Sequence, residues 1–460
     1  MTSIGARLDR LPISKFHYRI LRLVGLGMFF DGFDIYMVSG ILAVLAKTGW
    51  STVQLNALFL SVGFFGLTIG ALLSGIVGDS RGRKFMYQTN LLIFSVATLL
   101  SAFAPNPYVL IVLRFFAGLG LGGEIVTGYS TLSEFVPANR RGRWQSLLAL
   151  ITNLSLPLSA ILSLLVIPHL GWRWMFVIAG VPTIFIWWLR RTMPESPRWF
   201  ESRGDYESAE REISKIEQEI IKETGKNLPE PSAAVSASNS IDKGSFSDLF
   251  VKKILPRTFI AIIMLMIMNS VVYGFTAWIP TIFIKDGITV TTSLAYNAVI
   301  LSGAPIGALA AYVIVDRMGR KGTTVILSLA GAILAYLYGN SHAAAAILTL
   351  GFFLLVIMYL LVAITFGMYV PELFPTNIRL RGVGLANAFG RVASIGIPYL
   401  ISYIVLTGST NTVLLVISSF LILQAILVGI FGIETKQKSL ESISNINEET
   451  PAEIVPQTHL

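Results

Sequence analysis

The sequence has no cysteine and only four histidines. Without thiols there are no disulfides and no thiolate metal sites. It also lacks a P-loop, an H-E-x-x-H pair and a G-x-S-x-G elbow, so ATP drive and hydrolysis have no machinery here and an enzyme is not expected. Charge is scarce as well. Only 13% of the 460 residues are charged, against about a quarter in a soluble protein. A cleavable signal peptide is not expected either, because residues 1–19 are polar and basic and the first apolar block is too long for a signal segment.

What the chain has instead is apolar residues, with a mean hydropathy of +0.69. They come in long blocks, near 20–46, 53–77, 85–104, 107–131, 144–168 and 172–189, then 256–283, 292–315, 322–339, 343–370, 382–407 and 411–433. A bilayer-spanning helix needs about 20 apolar residues, and lipid offers the backbone no hydrogen-bond partner, so each block must be a helix. The expected class is an all-α integral membrane protein with twelve transmembrane helices. With the N-terminus placed in the cytoplasm, the cytoplasmic segments hold 30 Lys and Arg residues and the outer loops three, Lys47, Arg173 and Lys285. That split predicts cytoplasmic termini in a plasma membrane. It also assigns the net charge of +9 to topology and anionic lipid rather than to nucleic acid.

The chain repeats itself. Gly78-Asp79-Ser80-Arg81-Gly82-Arg83-Lys84 follows the second block, and Val315-Asp316-Arg317-Met318-Gly319-Arg320-Lys321 follows the eighth. Glu134-Phe135-Val136-Pro137 precedes Arg141 and Arg143, and Glu372-Leu373-Phe374-Pro375 precedes Arg379 and Arg381. Both landmarks recur at nearly one offset, which predicts two pseudo-symmetric six-helix bundles. The expected organisation is a cytoplasmic N-terminus (1–19), a first bundle (20–190), a cytoplasmic linker (191–255), a second bundle (256–433) and a cytoplasmic tail (434–460). Within the linker, 205–222 reads as a surface helix and 227–240 as a flexible stretch. Gly118-Leu119-Gly120-Leu121-Gly122-Gly123 is no dinucleotide loop, since it lies inside an apolar helix with no strand before it. Its small residues predict close helix approach.

As a set these motifs resemble the major facilitator superfamily. Gly78 to Lys84 is similar to its loop between helices two and three, with Ser80 where a basic residue is usual. Arg114-x3-Gly118-x-Gly120-x-Gly122 resembles its helix-four motif. Pro194-Glu195-Ser196-Pro197-Arg198, Pro371-Glu372-Leu373-Phe374-Pro375 and the run 382–391 resemble the sugar-porter-like branch. Asp31-Gly32-Phe33-Asp34 is most similar to proton symporters of organic acids. The Gln-Gln pattern of sugar porters is absent from helix seven, where 264–280 reads MLMIMNSVVYGFTAWIP.

Charged groups inside the bilayer are functional candidates by default. The first half has four, Asp31, Asp34, Arg114 and Glu124. On straight helices rising 1.5 Å per residue, Asp34 lies roughly 21 Å from the cytoplasmic side and Arg114 roughly 10 Å from the outer side. In a core about 30 Å thick they share a depth, and an ion pair is expected, as the resemblance also implies. Asp31 is one turn away on the same face, and Glu124 lies deeper toward the cytoplasm. The four form a candidate proton-coupling path. In the second half Arg391 lies near mid-membrane with no acid in that half's apolar blocks, so a substrate carboxylate is its natural partner. Asn387, Asn269, Tyr273 and Trp278 are candidates to line the same cavity.

By resemblance, Asp79, Arg83, Glu134 and Arg143, and in the second half Asp316, Arg320, Glu372 and Arg381, are gating residues whose ion pairs close the cytoplasmic side. The expected activity is proton-coupled symport of a small organic anion by a monomer, with the proton as coupling ion and no other cofactor or metal. A carrier of a neutral sugar or polyol, and a non-transporting nutrient sensor on the same fold, are the alternatives.

Overall fold

The computed structural model describes residues 4–225, 227–230, 245–252, 254–314, 319–375 and 378–435. Twelve long helical segments dominate it. In the first half they are α1 (Lys15–Lys47), α2 (Val53–Arg81), α3 (Arg83–Ser101), α4 (Pro107–Phe135), α5 (Arg141–Asn153 continued by Ser155–Leu170) and α6 (Arg173–Leu189). In the second they are α7 (Leu255–Thr276 continued by Ile279–Lys285), α8 (Val290–Leu301 and Gly303–Ile314) and α9 (Arg320–Gly339). They end with α10 (Ala344–Ile364, a π turn at Thr365–Tyr369, then Val370–Glu372), α11 (Arg379–Thr407) and α12 (Thr410–Phe431). No strand occurs among the described residues. Ten of these segments are long and apolar enough to cross a membrane. The other two, α3 and α6, are 19 and 17 residues long and pack on each other.

Local chemistry sets the ends. Thr52 accepts from the Leu55 N–H, and Asn106 from the Val109 N–H just before Pro107. These caps fill donors that a helix start leaves orphaned. Several helices overshoot their apolar block: α1 starts at Lys15 and α4 runs on to Phe135. Lipid exposure demands apolar residues, but helical hydrogen bonding continues past the point where water takes over.

The first half is tight because glycines let backbones touch. A Cβ on Gly118 would lie 2.2 Å from the Gly63 carbonyl oxygen of α2, and one on Gly120 would lie 2.5 Å from the Asn90 carbonyl oxygen of α3. The glycine ladder of α4 thus seats α2 on one side and α3 on the other.

The linker helix spans Tyr206–Thr224, capped by Asp205 and ended at Gly225 in the left-handed region. Its apolar face is buried: Ala209, Ile213, Ile216 and Ile220 join a cluster with Ile4, Leu8 and Leu11. The cover comes from a short N-terminal helix, Ile4–Asp9, within the stretch read as merely polar and basic. Six residues are too few for periodicity to show. Most of 227–240 and of the tail lies outside the described residues.

Glu217 clasps the two segments. It accepts from Arg7 at 3.0 and 2.6 Å and from Arg10 at 2.6 Å. Burial pushes its carboxyl up, but the Arg7 and Arg10 hydrogen bonds outweigh it and hold Glu217 below the usual glutamate range. A depressed acid stabilises the clasp above its unfolded value of about 4.3. That contribution is lost as pH falls through the lower folded value. Hydrogen bonds to charged groups contribute roughly 1.5–3 kcal/mol each. Glu217→Ala is therefore expected to speed amide exchange in Ile4–Asp9 at least about tenfold at neutral pH, with exchange in α9 as the internal control. Equal protection in both proteins would show that apolar contacts alone hold the helix.

Candidate functional site

The two halves meet along α1, α2 and α5 on one side and α7, α8 and α11 on the other. Several polar contacts cross the seam. The Tyr36 and Tyr359 hydroxyls share a hydrogen bond of 2.6 Å. Ser61 donates to the Ile395 carbonyl at 2.8 Å, and Asn297 to Ser39 at 3.4 Å. The Phe64 and Tyr273 rings lie 4.5 Å apart. Beside these contacts is a cleft with about 440 Å³ of empty space, lined by Tyr36, Ser39, Gly63, Phe64, Arg114, Tyr273 and Thr276 among others.

Asp34 reaches this cleft through its partner. It is fully buried and ion-paired with Arg114, and it also accepts from Thr98 of α3 at 3.4 Å. Arg114 lies over the Phe59 ring at 5.2 Å, and its Nε atom has no hydrogen-bond partner. Gly63 makes room for it, since a Cβ there would come within 2.9 Å of that Nε. The site thus holds one carboxylate in the protein and one guanidinium on the cleft wall.

Asp31 faces inward too, 1% exposed, and neither carboxyl oxygen has a hydrogen-bond partner among the described residues. Its charged surroundings are Glu124, Arg190 and Asp34. Glu124 does not stand alone. It pairs with Arg190 at 2.5 Å, and both side chains are fully buried. Arg190 also donates to the Leu23 carbonyl at 2.9 Å and stacks over the Tyr87 ring at 3.9 Å. In the sequence Arg190 stands just past the sixth apolar block, where basic residues normally face the cytoplasm. The short 3-10 turn Arg190–Thr192 after α6 instead folds its side chain back into the bundle, with Gly27 leaving the space.

Of the five residues expected to bind substrate, Tyr273 lines the cleft and Arg391, Asn387, Asn269 and Trp278 do not. Asn269 spends its polar atoms inside the protein, donating to Leu265 at 2.7 Å and accepting from Ser394 at 3.1 Å. Asn387 donates to its own helix at Val383. Trp278 is 1% exposed, with an unpartnered indole nitrogen. Arg391 is half-buried, has no hydrogen-bonded or ion-paired partner among the described residues, and its charge is felt at Tyr36. Tyr36, Ser39 and Tyr359 are seam residues that only the packing reveals.

At the basic end of each half an ion pair sits beside a capping glutamate. Arg83 pairs with Glu134 at 3.2 Å, and Arg320 with Glu372 at 3.3 Å. Glu195 accepts from the Arg83 and Lys84 backbone N–H groups, and Glu434 from those of Arg320 and Lys321. Burial pushes the Glu195 carboxyl up, against the pull of N–H groups from Ser196, Lys84 and Arg83. Arg143 and Arg381 are exposed and without an ion-pair partner among the described residues. Only the backbone of Asp79 is described, in the last turn of α2, and Asp316 lies outside the described residues. No cluster of His, Asp and Glu fit to hold a metal ion occurs among the described residues.

Comparison with known proteins places this geometry. A family model described as sugar (and other) transporter matches residues 22–446. The inner membrane metabolite transport protein YdjE of Escherichia coli (strain K12) is 40% identical over 96% of this chain and 99% of its own length. The niacin transporter NiaP of Acinetobacter baylyi is 33% identical over 95% of this chain and 99% of its own. The inward open conformation of the xylose transporter XylE from E. coli superposes with a TM-score of 0.70 at 18% identity, covering 93% of this chain and 99% of that one. At that identity the likeness is one of fold.

Proposed function

The chain belongs to the sugar (and other) transporter family and has the major facilitator fold, and from that premise we propose that it carries a small carboxylate-bearing organic anion together with a proton, by alternating access. It is a multi-pass membrane transporter and not an enzyme. In this reading both termini lie in the cytoplasm, and the proton is the coupling ion.

The observation that carries the reading is the buried Asp34–Arg114 pair on the wall of the cleft between the halves. An anion entering the cleft competes with Asp34 for Arg114. In so dry a site a carboxylate stripped of its counterion holds a proton. The anion and the proton therefore favour each other, which is what symport requires. The paired networks at Arg83–Glu134 and Arg320–Glu372 are proposed as the latches that break when the halves rock. A relative named as a niacin transporter supports a small aromatic acid as first candidate, niacin being a pyridine carboxylic acid.

The test is uptake of labelled nicotinate, other small acids and xylose into proteoliposomes under an imposed pH gradient. Concentrative uptake of an acid is expected. Uptake of xylose with no acid accumulated would reject the anion reading. Arg391, with no partner of its own among the described residues, is proposed as the second cation of the site. A hydrogen bond to a charged group contributes roughly 1.5–3 kcal/mol, so Arg391→Ala should weaken binding of the transported acid at least about tenfold. Unchanged affinity would remove it from the site.

A further inference from the structure

A second cleft, with about 270 Å³ of empty space, lies at the basic end of the first half. Its wall includes Arg83, Glu195, Tyr87, Gln88, Thr131 and Arg190. Three polar atoms of that wall have no hydrogen-bond partner, the Tyr87 hydroxyl, the Gln88 Nε2 and the Thr131 hydroxyl. Tyr87 is 2% and Thr131 4% exposed. The enclosed room there fits about one ordered water, which these three polar atoms would share.

The cleft touches Arg190, the one described partner of Glu124. Among the described residues, Oε2 of Glu124 and both carboxyl oxygens of Asp31 have no hydrogen-bond partner. The titratable and charged groups around Glu124 are Asp31 of α1, Tyr87 of α3 and Arg190 after α6, with Asp34 behind Asp31. Ser74 of α2, which lies against the adjacent Gly123, is neutral and hydrogen-bonded to Asn90. Asp34, Asp31 and Glu124 thus form a series whose charges act on one another, with Arg114 of the transport cleft paired to its first member and Arg190 of the second cleft paired to its last.

We propose that Glu124 and this second cleft form the exit by which the coupling proton leaves toward the cytoplasm, with Arg190 as its positioning residue. The inference rests on the proton-coupled reading given above. The proton taken up at Asp34 passes to Asp31, then to the free oxygen of Glu124, and from there to water in the cleft. Each carboxylate gives up the proton it gains, so the path ends as it began. Arg190 holds the other oxygen of Glu124 at 2.5 Å, which leaves Oε2 as the oxygen that takes the proton. Tyr87, under the guanidinium, and Thr131 line the water.

Two measurements on the full chain test this. The first needs no substrate. Because the chain has no cysteine, Thr131→Cys can be probed with a membrane-impermeant thiol reagent in inside-out vesicles. It should react at least tenfold faster than Leu91→Cys, a fully buried apolar position on α3. Equal rates would overturn the hydrated exit.

The second measures pH-gradient-driven nicotinate accumulation in proteoliposomes. Glu124→Gln and Arg190→Gln should each lose at least tenfold, with the pH profile of exchange flattened, and Arg190→Lys should recover most of it. Full accumulation by Glu124→Gln, where Asp34→Asn abolishes it, would overturn the exit and leave the coupling site standing. If the unaltered protein fails to accumulate nicotinate, the parent reading fails for that acid. The labelling rates then decide the exit alone.

Discussion

Asp34→Asn is expected to abolish accumulation driven by a pH gradient while exchange of labelled for unlabelled substrate survives. The side chain is fully buried, so no bulk water can supply a substitute proton carrier at that spot. Asparagine keeps the volume and can still accept from Thr98 and Arg114, but it cannot take up and release a proton. Removing the charge also leaves Arg114 a buried cation with an already unpartnered Nε. Truncating one side of such a pair typically costs about 3–5 kcal/mol. Part of this is recovered because Arg114 opens onto the cleft and rests on Phe59. An anionic substrate in the cleft would replace the lost counterion, so binding should be retained or tightened. The measurement is a pair of assays on one preparation, uptake against a gradient and counterflow without one. Full concentrative uptake by the variant would reject Asp34 as the coupling group. Loss of both activities would point to damage at the Arg114 pocket instead, and a thermal unfolding scan would separate the two.

Asp34 and Arg114 meet at the depth their positions imply because α1 and α4 are unbroken through that region, and a rise per residue then translates into position. Depth does not reveal Arg190. It stands one residue past an apolar block, where basic residues normally face water, and only a change from α to 3-10 winding turns it inward. Sequence therefore left Glu124 without its cation. The seam between the halves was equally hidden. Tyr36 and Tyr359 are 323 residues apart, and nothing in either helix marks the other as its partner. The capping glutamates show the reverse case. Glu195 and Glu434 cap equivalent positions of the two halves, so the repeat that relates Gly82 to Gly319 extends past the apolar blocks to them. Arg391 was legible as a cation without an acid, but its half-buried position off the first cleft depends on how α11 is rotated, which periodicity does not fix.

The largest loss of folded protein is expected from Gly122→Ala, although the change adds a single methyl group. A Cβ at Gly122 would lie 1.8 Å from the Leu67 carbonyl oxygen and 2.6 Å from its carbon. Across the same interface a Cβ at Gly70 would lie 1.9 Å from the Leu119 carbonyl oxygen. Backbone atoms held in a helix cannot swing aside as a side-chain tip can, so α2 and α4 would have to separate. Overpacking of this kind typically costs about 1–3 kcal/mol and more where nothing can yield. Function should suffer along with yield, because the same interface holds Gly63 against Arg114. Gly142→Ala is the matched control. It sits in the first turn of α5 with nothing within 4 Å of an added methyl, and alanine is favoured over glycine in a helix by about 1 kcal/mol. Monodisperse yield and the unfolding midpoint in detergent would be compared for the two variants. The Gly142 variant should match or exceed the parent protein and the Gly122 variant should fall well below it. Equal midpoints would mean that the helices can part without penalty, and the close α2–α4 approach would no longer explain how Arg114 is held at Asp34.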